Sequence, residues 1–262
     1  MKTRLDAELV RRGLARSREA ATDLIAAGNV LVTGIPASKA ATQVDAQTSI
    51  TLKDDHAEFV SRGGHKLAGA LDNFSKLLVS GKTALDAGAS TGGFTDVLLK
   101  RGASKVVAVD VGYGQLDWEL QKNIRVKILD RVNVRNLTAA QVGEEIDLVV
   151  ADLSFISLKL VLPALISVAK EGADFLIMVK PQFEVGKEKL GAGGVVRDVH
   201  LRKEAVVEVA DAAFALTLGT LGVVASPLPG PSGNVEYFLW LRKGAPALLE
   251  VDLDLAIEKG PA

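Results

Sequence analysis

The chain of 262 residues is 48% hydrophobic, enough for one large core and a small second module, because domains cluster near about 100 to 200 residues. Its formal net charge of -1 gives no overall attraction to a polyanion, so any basic surface must be local. The absence of cysteine excludes disulfides, thiolate zinc sites and a cysteine nucleophile, and it is typical of a reducing cytoplasm. With three histidines, the sequence predicts no bound metal.

The first 53 residues predict a small module in which two helices precede short strands. Apolar residues recur at helical spacing over residues 4–14, and a second helix is predicted to begin at Ser17, a favoured N-cap, and to end at Gly28. Runs near residues 30–32 and 50–52 indicate strands. The segment has eight basic and five acidic side chains, a local net charge of +3.

Basic side chains of this module concentrate where the two helices meet. Paired arginines usually mark a solvated helix face, but four of them within residues 11–18 fit a phosphate-binding surface at least as well. The run RLDAELVRRGLARSREAATDLIAAGNVLVTG resembles the S4 RNA-binding domain. The resemblance implies an S4-like domain over residues 1–53, with RNA contacts from Arg4, Arg11, Arg16, Arg18 and Lys39.

Residues 54–60 lack periodicity and are predicted to form an interdomain linker. Its largest apolar residue, Phe59, is predicted to pack against the following domain, with insertion between the domains or stacking on RNA as alternatives. Strand and helix patterns alternate through residues 61–262, which favours a doubly wound α/β sheet of parallel strands with ligands at the carboxyl ends. The predicted strands lie near 83–86, 106–110, 126–129, 147–151, 175–179 and 235–241.

The segment LDAGASTGGF, residues 85–94, has the small-residue turn of a ligand-binding strand-to-helix junction. Gly88, Ser90 and Gly92 satisfy the GxSxG nucleophile elbow, but the turn follows the first strand of its sheet, and the only downstream histidine, His200, lies in a polar stretch. Gly88, Ser90 and Gly93 also approximate a dinucleotide-binding GxGxxG. The pattern alone leaves a hydrolase, a dinucleotide-binding protein and a third class of cofactor open.

Asp86, at the end of the first strand, separates these alternatives. Its carboxylate would repel a pyrophosphate and would favour a ligand with positive charge. S-adenosylmethionine has a sulfonium and an ammonium group and no phosphate. Asp110 is predicted to bind the ribose hydroxyls, whereas Asp130 is predicted to lie near the adenine or to be a surface acid. The predicted cofactor site comprises Asp86, Gly88, Ser90, Thr91, Gly92, Gly93, Phe94, Asp110, Asp130 and Asp152.

Charged side chains also stand beside later predicted strand ends. Asp152 follows one buried strand, Lys180 ends another, and Glu236 stands among apolar residues of the last. A buried charge is costly unless it is paired, so a structural pair such as Lys180 with Glu236 is the alternative to catalysis. Together with Lys66, these residues resemble the Lys-Asp-Lys-Glu tetrad of FtsJ/RrmJ-type 2'-O-ribose methyltransferases.

The segments SRGGHKL, LDAGASTGGFTDVLL, DVGYGQL, VADLSFISL, VKPQFEVGK and SPLPGPSGNVEYFLWL resemble the TlyA, or hemolysin A, family of ribosomal RNA methyltransferases. The resemblance covers nearly the whole chain. It implies S-adenosylmethionine-dependent 2'-O-methylation of cytidine in ribosomal RNA by a cytoplasmic enzyme. The complete first helix and the extension LLEVDLDLAIEKG resemble the branch that modifies both 30S and 50S subunits. We expect a monomer, because no repeat or coiled-coil pattern is present.

Two other functions and one flexible segment remain open. A non-catalytic RNA-binding assembly factor would keep the cofactor fold without turnover. A pore-forming hemolysin would need a membrane span, but the most apolar segment, LKLVLPALISVAK, is interrupted by Lys159 and Pro163, so we expect no membrane partner. Residues 185–198 are predicted to be either a lid that contacts RNA through Lys187 and Lys189 or an ordinary mobile loop.

Overall fold

The computed structural model describes residues 3–15, 17–45, 48–52, 58–230 and 233–260. The chain divides into two compact units, Met1–Glu58 and Phe59–Ala262, and the division falls within the predicted linker, residues 54–60. Residues 54–57 of that linker and Arg16 of the predicted RNA-binding set lie outside the described residues.

The N-terminal unit combines two helices with short antiparallel strands, as the sequence predicts. Ser17 caps the second helix, because its Oγ accepts a hydrogen bond from the backbone N–H of Ala20 at 3.1 Å. Strand β1 pairs with β4, and a second sheet has the order β3-β2-β5. The elements are β1 (Thr3–Arg4), α1 (Leu5–Arg11), α2 (Arg18–Ala26), β2 (Val30–Val32), β3 (Ile35–Pro36), β4 (Gln43–Val44) and β5 (Ile50–Leu52).

The C-terminal unit alternates helices with the strands of one seven-stranded sheet. The strands are β6 (Thr83–Ala87), β7 (Lys105–Asp110), β8 (Val126–Asp130), β9 (Ile146–Ala151), β10 (Ala169–Val179), β11 (Leu218–Ala225) and β12 (Tyr237–Lys243). The helices are α3 (Arg62–Asn73), α4 (Gly93–Lys100), α5 (Trp118–Gln121), α6 (Ala139–Val142), α7 (Leu162–Ser167), α8 (Pro181–Glu184), α9 (Val199–Ala215) and α10 (Glu250–Glu258). The strand order is β11-β12-β10-β9-β6-β7-β8.

The sheet differs from the predicted one in two respects. Strand β11 was not predicted, because Gly219 and Gly222 interrupt its apolar pattern. The prediction of a parallel sheet holds for β6 to β10 but is wrong for β12, which is antiparallel to β10 and β11. A parallel return needs a crossover of about a dozen residues or more, usually helical, and the described residues between β11 and β12 contain no helix.

Apolar layers cover both faces of the sheet, so successive residues of an inner strand point to different layers. Leu85 and Ala87 of β6 belong to the layer that contains residues of α7, α9 and α10, whereas Ala84 belongs to the layer of α3 and α4. Phe59 is part of the second layer, 6% exposed, and its ring meets that of His65 edge-on at 5.1 Å. Phe59 therefore packs against the sheet domain, as predicted.

A buried carboxylate connects three segments through hydrogen bonds near the amino end of the parallel strands. Asp174 of β10 is 2% exposed and accepts hydrogen bonds from Lys82 Nζ at 2.6 Å, Trp240 Nε1 at 2.8 Å and Arg242 Nε at 2.9 Å. The cluster joins the segment before β6 to β10 and β12. It lies at the strand ends remote from the predicted site, so we assign it a structural role.

Candidate active site

The strand register brings three of the four predicted catalytic residues to one edge of the sheet. Ala87 of β6 is paired with Ala151 of β9, which is paired with Ile177 of β10. Asp152 and Lys180 therefore leave the sheet at the same edge. Glu236 was predicted inside the last strand, but it directly precedes β12, and the antiparallel direction of that strand brings it to this edge as well.

The four residues form two ion pairs around one cavity of about 530 Å³. Lys66 Nζ lies 2.6 Å from Glu236 Oε2, and Lys180 Nζ lies 2.5 Å from Asp152 Oδ1 and 3.0 Å from Ser154 Oγ. Both lysines are 8% exposed and Glu236 is fully buried. The pairing of Lys180 with Glu236 that the sequence suggested is wrong, because Lys66 on α3 occupies that position.

The buried carboxylate of Glu236 also has an unused acceptor. Its Oε1 accepts no hydrogen bond from the described residues. A Cβ atom on Gly230 would lie 2.6 Å from this oxygen, so the loop before β12 passes directly over the carboxylate. The site therefore keeps one acceptor free beside the cavity.

Several cavity residues were not predicted. Phe155 has a φ of 64° and is 91% exposed, and its ring centroid lies 5.1 Å from that of Phe183. Ser154, Phe155 and Gln182 lie in the motifs VADLSFISL and VKPQF, but a loop has no periodicity that could distinguish them from their neighbours. The unpredicted lining residues are Ser61, Arg62, Gly63, Ala89, Ser154, Phe155, Gln182, Phe183, Leu190, Gly194, Pro229 and Asn234.

The glycine turn forms another wall of the cavity. Gly88 has a φ of 88°, and a Cβ atom there would lie 2.5 Å from the backbone oxygen of Asp152. A Cβ on Gly93 would lie 2.2 Å from Ser61 Oγ, so only glycine lets the starts of α3 and α4 approach this closely. Thr91 and Phe94 also line the cavity, and Gly92, with a φ of 97°, is the N-cap of α4.

A second cavity of about 510 Å³ lies on the other side of this turn. It shares Gly88, Ser90 and Asp152 with the first cavity and adds Asp110, whose Oδ2 accepts a hydrogen bond from the Ser90 N–H at 2.8 Å. None of the described residues that line the two cavities is a histidine. Ser90 therefore lacks the base of a nucleophile elbow, which removes the hydrolase alternative.

Two of the predicted cofactor acids, Asp86 and Asp130, do not line either cavity. Asp130 Oδ2 accepts a hydrogen bond from the Gly114 N–H at 2.9 Å, and Asp130 lines neither cavity. Asp86 is fully buried, and its Oδ2 accepts a hydrogen bond from Thr95 Oγ1 at 2.7 Å. Burial raises the pKa of Asp86 to about 7, and its Oδ1 has no hydrogen-bond partner among the described residues.

The segment predicted as a lid is bonded to the loop that precedes Glu236. Asn234 Oδ1 accepts a hydrogen bond from the Val196 N–H at 2.9 Å, and its Nδ2 donates to the Gly194 oxygen at 3.1 Å. Lys189 pairs with Glu204 at 2.7 Å, and Lys187 is exposed. Contact of this segment with RNA stays a prediction.

Arg4, Arg11, Arg18 and Lys39, the described members of the predicted RNA-binding set in the N-terminal unit, are exposed residues. Arg4 and Arg18 both bind Asp6, and Arg11 binds Glu8. Lys39 is exposed. The described arginines of this set are therefore held by acidic neighbours, which sequence spacing did not predict.

A Rossmann-like sheet with a glycine turn and charged residues at its carboxyl edge is typical of the α/β folds that bind a nucleoside-containing cofactor at this edge. The sequence family described as FtsJ-like methyltransferase matches residues 59–243, and the S4 domain matches residues 3–50. The chain belongs to the TlyA family, in which these two domains are joined.

Individual relatives match over most of their length. The 16S/23S rRNA (cytidine-2'-O)-methyltransferase TlyA of Mycobacterium tuberculosis is 56% identical over 99% of both chains. The 23S rRNA (cytidine-2'-O)-methyltransferase TlyA of Campylobacter jejuni is 33% identical over 71% of both chains. A solved structure named as a hemolysin, from Streptococcus thermophilus, has a TM-score of 0.79 and 35% identity, covering 98% of this chain and 95% of its own.

The hemolysin name does not correspond to a membrane-spanning helix here. Across the described ranges of the chain, helices are all too short or too polar to cross a bilayer.

Proposed function

We propose that the protein transfers a methyl group from S-adenosylmethionine to the ribose 2'-hydroxyl of cytidine in ribosomal RNA, in both 30S and 50S subunits, as a cytoplasmic monomer. The observation that carries the proposal is that two buried lysines each contact a carboxylate beside the glycine turn, in one cavity. The mycobacterial relative is named for both 16S and 23S RNA and the Campylobacter relative for 23S RNA alone. The higher identity to the former favours both targets.

The residues around the turn fit S-adenosylmethionine. The carboxylates of Asp110 and Asp152 line the second cavity and favour a ligand with positive charge and hydroxyl groups, whereas the buried Asp86 contributes only through its charge; Gly88 lies in the wall that the two cavities share. When bound, the cofactor would supply an electrophilic methyl group on a cationic sulfur. Asp110 would hold its ribose, and Asp152 would lie near its methionine part.

The lysine pairs prepare the nucleophile. A ribose hydroxyl is a poor nucleophile at neutral pH, so its proton must be shared or removed as the oxygen attacks. Lys180 Nζ is held by Asp152 and Ser154; once it has given one proton to the Asp152 carboxylate, its neutral amine accepts the proton of the ribose hydroxyl. Lys66 and Glu236 form the opposite side of the pocket, and the exposed ring of Phe155 offers a face on which the target base stacks.

The proposal is tested by transfer of tritiated methyl from S-adenosylmethionine to isolated 30S and 50S subunits, followed by alkaline hydrolysis. Label in an alkali-resistant dinucleotide from both subunits is the expected result, because a 2'-O-methyl group blocks cleavage of the adjacent phosphodiester. Label in 50S alone would overturn the dual target. No label on either subunit, despite measurable cofactor binding, would favour a non-catalytic assembly factor, and cell lysis by a Lys180→Ala variant would favour a hemolysin.

Gly88→Ala is expected to weaken binding of S-adenosylmethionine at least about tenfold, because the added Cβ meets the Asp152 backbone and must displace the turn between the two cavities; the cost of about 1–2 kcal/mol for a side chain at positive φ falls on folding and is shared by the control. Isothermal titration calorimetry measures the change. Gly81→Ala is the matched control, since Gly81 has a φ of 76° with no atom within 4 Å of an added Cβ. Equal effects of the two substitutions on affinity would contradict the proposed role of the turn.

The affinity for S-adenosylmethionine is expected to rise with pH through about 7, where burial raises the pKa of Asp86. The ionised carboxylate attracts a cationic ligand, so affinity falls as Asp86 is protonated, by at most about tenfold per pH unit. Calorimetric titrations between about pH 6 and pH 8 measure the slope, and Asp86→Asn is expected to abolish it. An unchanged slope in the variant would assign the pH dependence to another group.

A further inference from the structure

The N-terminal unit contains two buried carboxylates that are each shared by two arginines. Asp6, 3% exposed, accepts from Arg4 Nε and Nη2 at 3.0 Å each and from Arg18 Nη2 at 2.9 Å. Glu8, 2% exposed, accepts from Arg11 Nε at 2.7 Å and Nη2 at 2.6 Å, and from Arg12 Nε at 2.7 Å. Two acids of α1 thus fix four guanidinium groups: Arg4 and Arg18 on Asp6, and Arg11 and Arg12 on Glu8.

The four arginines are not equivalent. Arg12 also donates from Nη1 to the Thr48 oxygen at 2.9 Å and from Nη2 to the Asp45 oxygen at 3.0 Å, which ties α1 to the loop before β5. Its side chain is 21% exposed, against 46% for Arg4, 62% for Arg11 and 60% for Arg18. Arg4 and Arg11 bind their acid through Nε and Nη2, which leaves the Nη1 group of each outside these contacts.

We infer that Asp6 and Glu8 are positioning residues for RNA binding: Asp6 holds Arg4 and Arg18, and Glu8 holds Arg11, each arginine keeping further donors for the phosphates of RNA, whereas Arg12 is structural. The inference rests on the proposed RNA substrate. A guanidinium has five donors in a rigid fork, so a carboxylate that occupies one edge leaves the other in a defined direction for a phosphate. Ordering long side chains before binding lowers the entropy that RNA binding must otherwise remove.

The acids stay ionised under the conditions of RNA binding. Hydrogen bonds from Arg11 and Arg12 lower the pKa of Glu8 to about 2, and those from Arg4 and Arg18 hold the pKa of Asp6 well below its ordinary range. The ion pairs of Asp6 and Glu8 with the arginines therefore persist at neutral pH. An acid beside a phosphate-binding surface otherwise only repels RNA, so its presence there needs a compensating role.

The direction in which a charge-neutralising substitution changes RNA affinity distinguishes positioning of the arginines from simple electrostatics. Removing an acid near bound RNA raises the net positive charge, so electrostatics alone predicts tighter binding. If Asp6 positions the arginines, Asp6→Asn weakens binding despite the added charge. Glu19→Gln is the matched control, because Glu19 is an exposed acid on α2 of the same unit and its loss changes the charge by the same amount.

The experiment measures binding of the full-length wild type, Asp6→Asn, Glu8→Gln and Glu19→Gln to 30S and 50S subunits, with methyl transfer in parallel. We expect Asp6→Asn and Glu8→Gln to raise the Kd about five- to tenfold, with the loss in KM rather than kcat, and Glu19→Gln to leave the Kd unchanged or lower. Binding by Asp6→Asn that equals or exceeds wild type would overturn the inference. Failure of the wild type itself to bind would instead overturn the proposed function.

A double-mutant cycle separates positioning from unfolding of the unit. Arg18→Ala is expected to weaken binding strongly in the wild type and little in Asp6→Asn, whereas independent effects would multiply and contradict the inference. Amide hydrogen exchange of Leu9 and Ile25, both in the core of the unit, reports folding. If Asp6→Asn loses this protection, Asp6→Glu replaces it, since the longer acid keeps the charge but displaces both guanidinium groups, and unaltered binding by that variant would overturn the inference.

Discussion

Lys180→Met is expected to lower kcat for methyl transfer to ribosomal subunits by about 10² to 10⁴-fold, the range that one positioned proton-transfer group contributes. Lys180 Nζ contacts Asp152 and Ser154, and its proposed third partner is the attacking hydroxyl. Methionine keeps about the same side-chain length but has no hydrogen-bond donor. Single-turnover transfer of labelled methyl measures the rate of the chemical step.

The matched control is Lys159→Met. Lys159 also belongs to a lysine–carboxylate pair, with Glu208 at 2.5 Å, but both side chains are more than a third exposed and neither lines the two cavities. This variant should keep wild-type kcat within about twofold, because exposed ion pairs contribute little. Cofactor binding by Lys180→Met, measured by calorimetry, shows that the turn is intact. A Lys180→Met enzyme with more than about a tenth of wild-type kcat would exclude Lys180 from the proton-handling role.

Asp174→Ala is expected to lower the free energy of unfolding of the C-terminal unit by about 3 kcal/mol, because removal of one partner from a buried ionic cluster leaves the others without compensation. The buried Trp240 indole N–H loses its acceptor, and Lys82 and Arg242 lose their ion pairs. Urea unfolding followed by fluorescence reports this unit, since both tryptophans of the chain, Trp118 and Trp240, lie in it.

Asp72→Ala is the control for this substitution, because Asp72 pairs with Arg101 at 2.6 Å while 61% of its side chain is exposed. Its effect should stay below about 1 kcal/mol. Comparable destabilisation by the two variants would contradict the special role of the Asp174 cluster.

The contribution of Asp174 should also depend on pH in a defined direction. Burial alone would raise its pKa, but hydrogen bonds from Lys82, Trp240 and Arg242 outweigh this and lower the pKa below its ordinary value. The stabilisation is therefore present above the unfolded-state pKa of about 3.9 and is lost as pH falls through the folded-state value. The difference between wild type and Asp174→Ala should shrink below about pH 4.

Apolar runs and glycine turns predicted most of the fold, but they did not predict which side chains meet. The sequence did not predict strand β11, because Gly219 and Gly222 interrupt its apolar pattern. It did not predict the direction of β12 either, because that direction depends on the connection before the strand rather than on the residues of the strand. The four charged residues of the site were predicted individually, whereas the pairing of Lys66 with Glu236 follows from how α3 packs on the sheet.

The alternation of side chains along β6 also indicates which face of the sheet Asp86 lies on. Leu85 and Ala87 lie on one face of the sheet, so Asp86 shares the other face with Ala84, beneath α4, where Thr95 binds it. A position at the end of a strand indicates proximity to a ligand, but the face of the strand decides whether the side chain reaches it. Arg11 and Arg12 illustrate the same limit on a helix, since adjacent residues point about 100° apart: 62% of the Arg11 side chain is exposed, against 21% of that of Arg12.

The two hydrogen bonds of Asn234 couple residues 194–196 to the loop that carries Glu236. An outward displacement of residues 194–196 must therefore either break those bonds or move that loop with it. Displacement of this pocket wall and separation of Glu236 from Lys66 are then one movement rather than two.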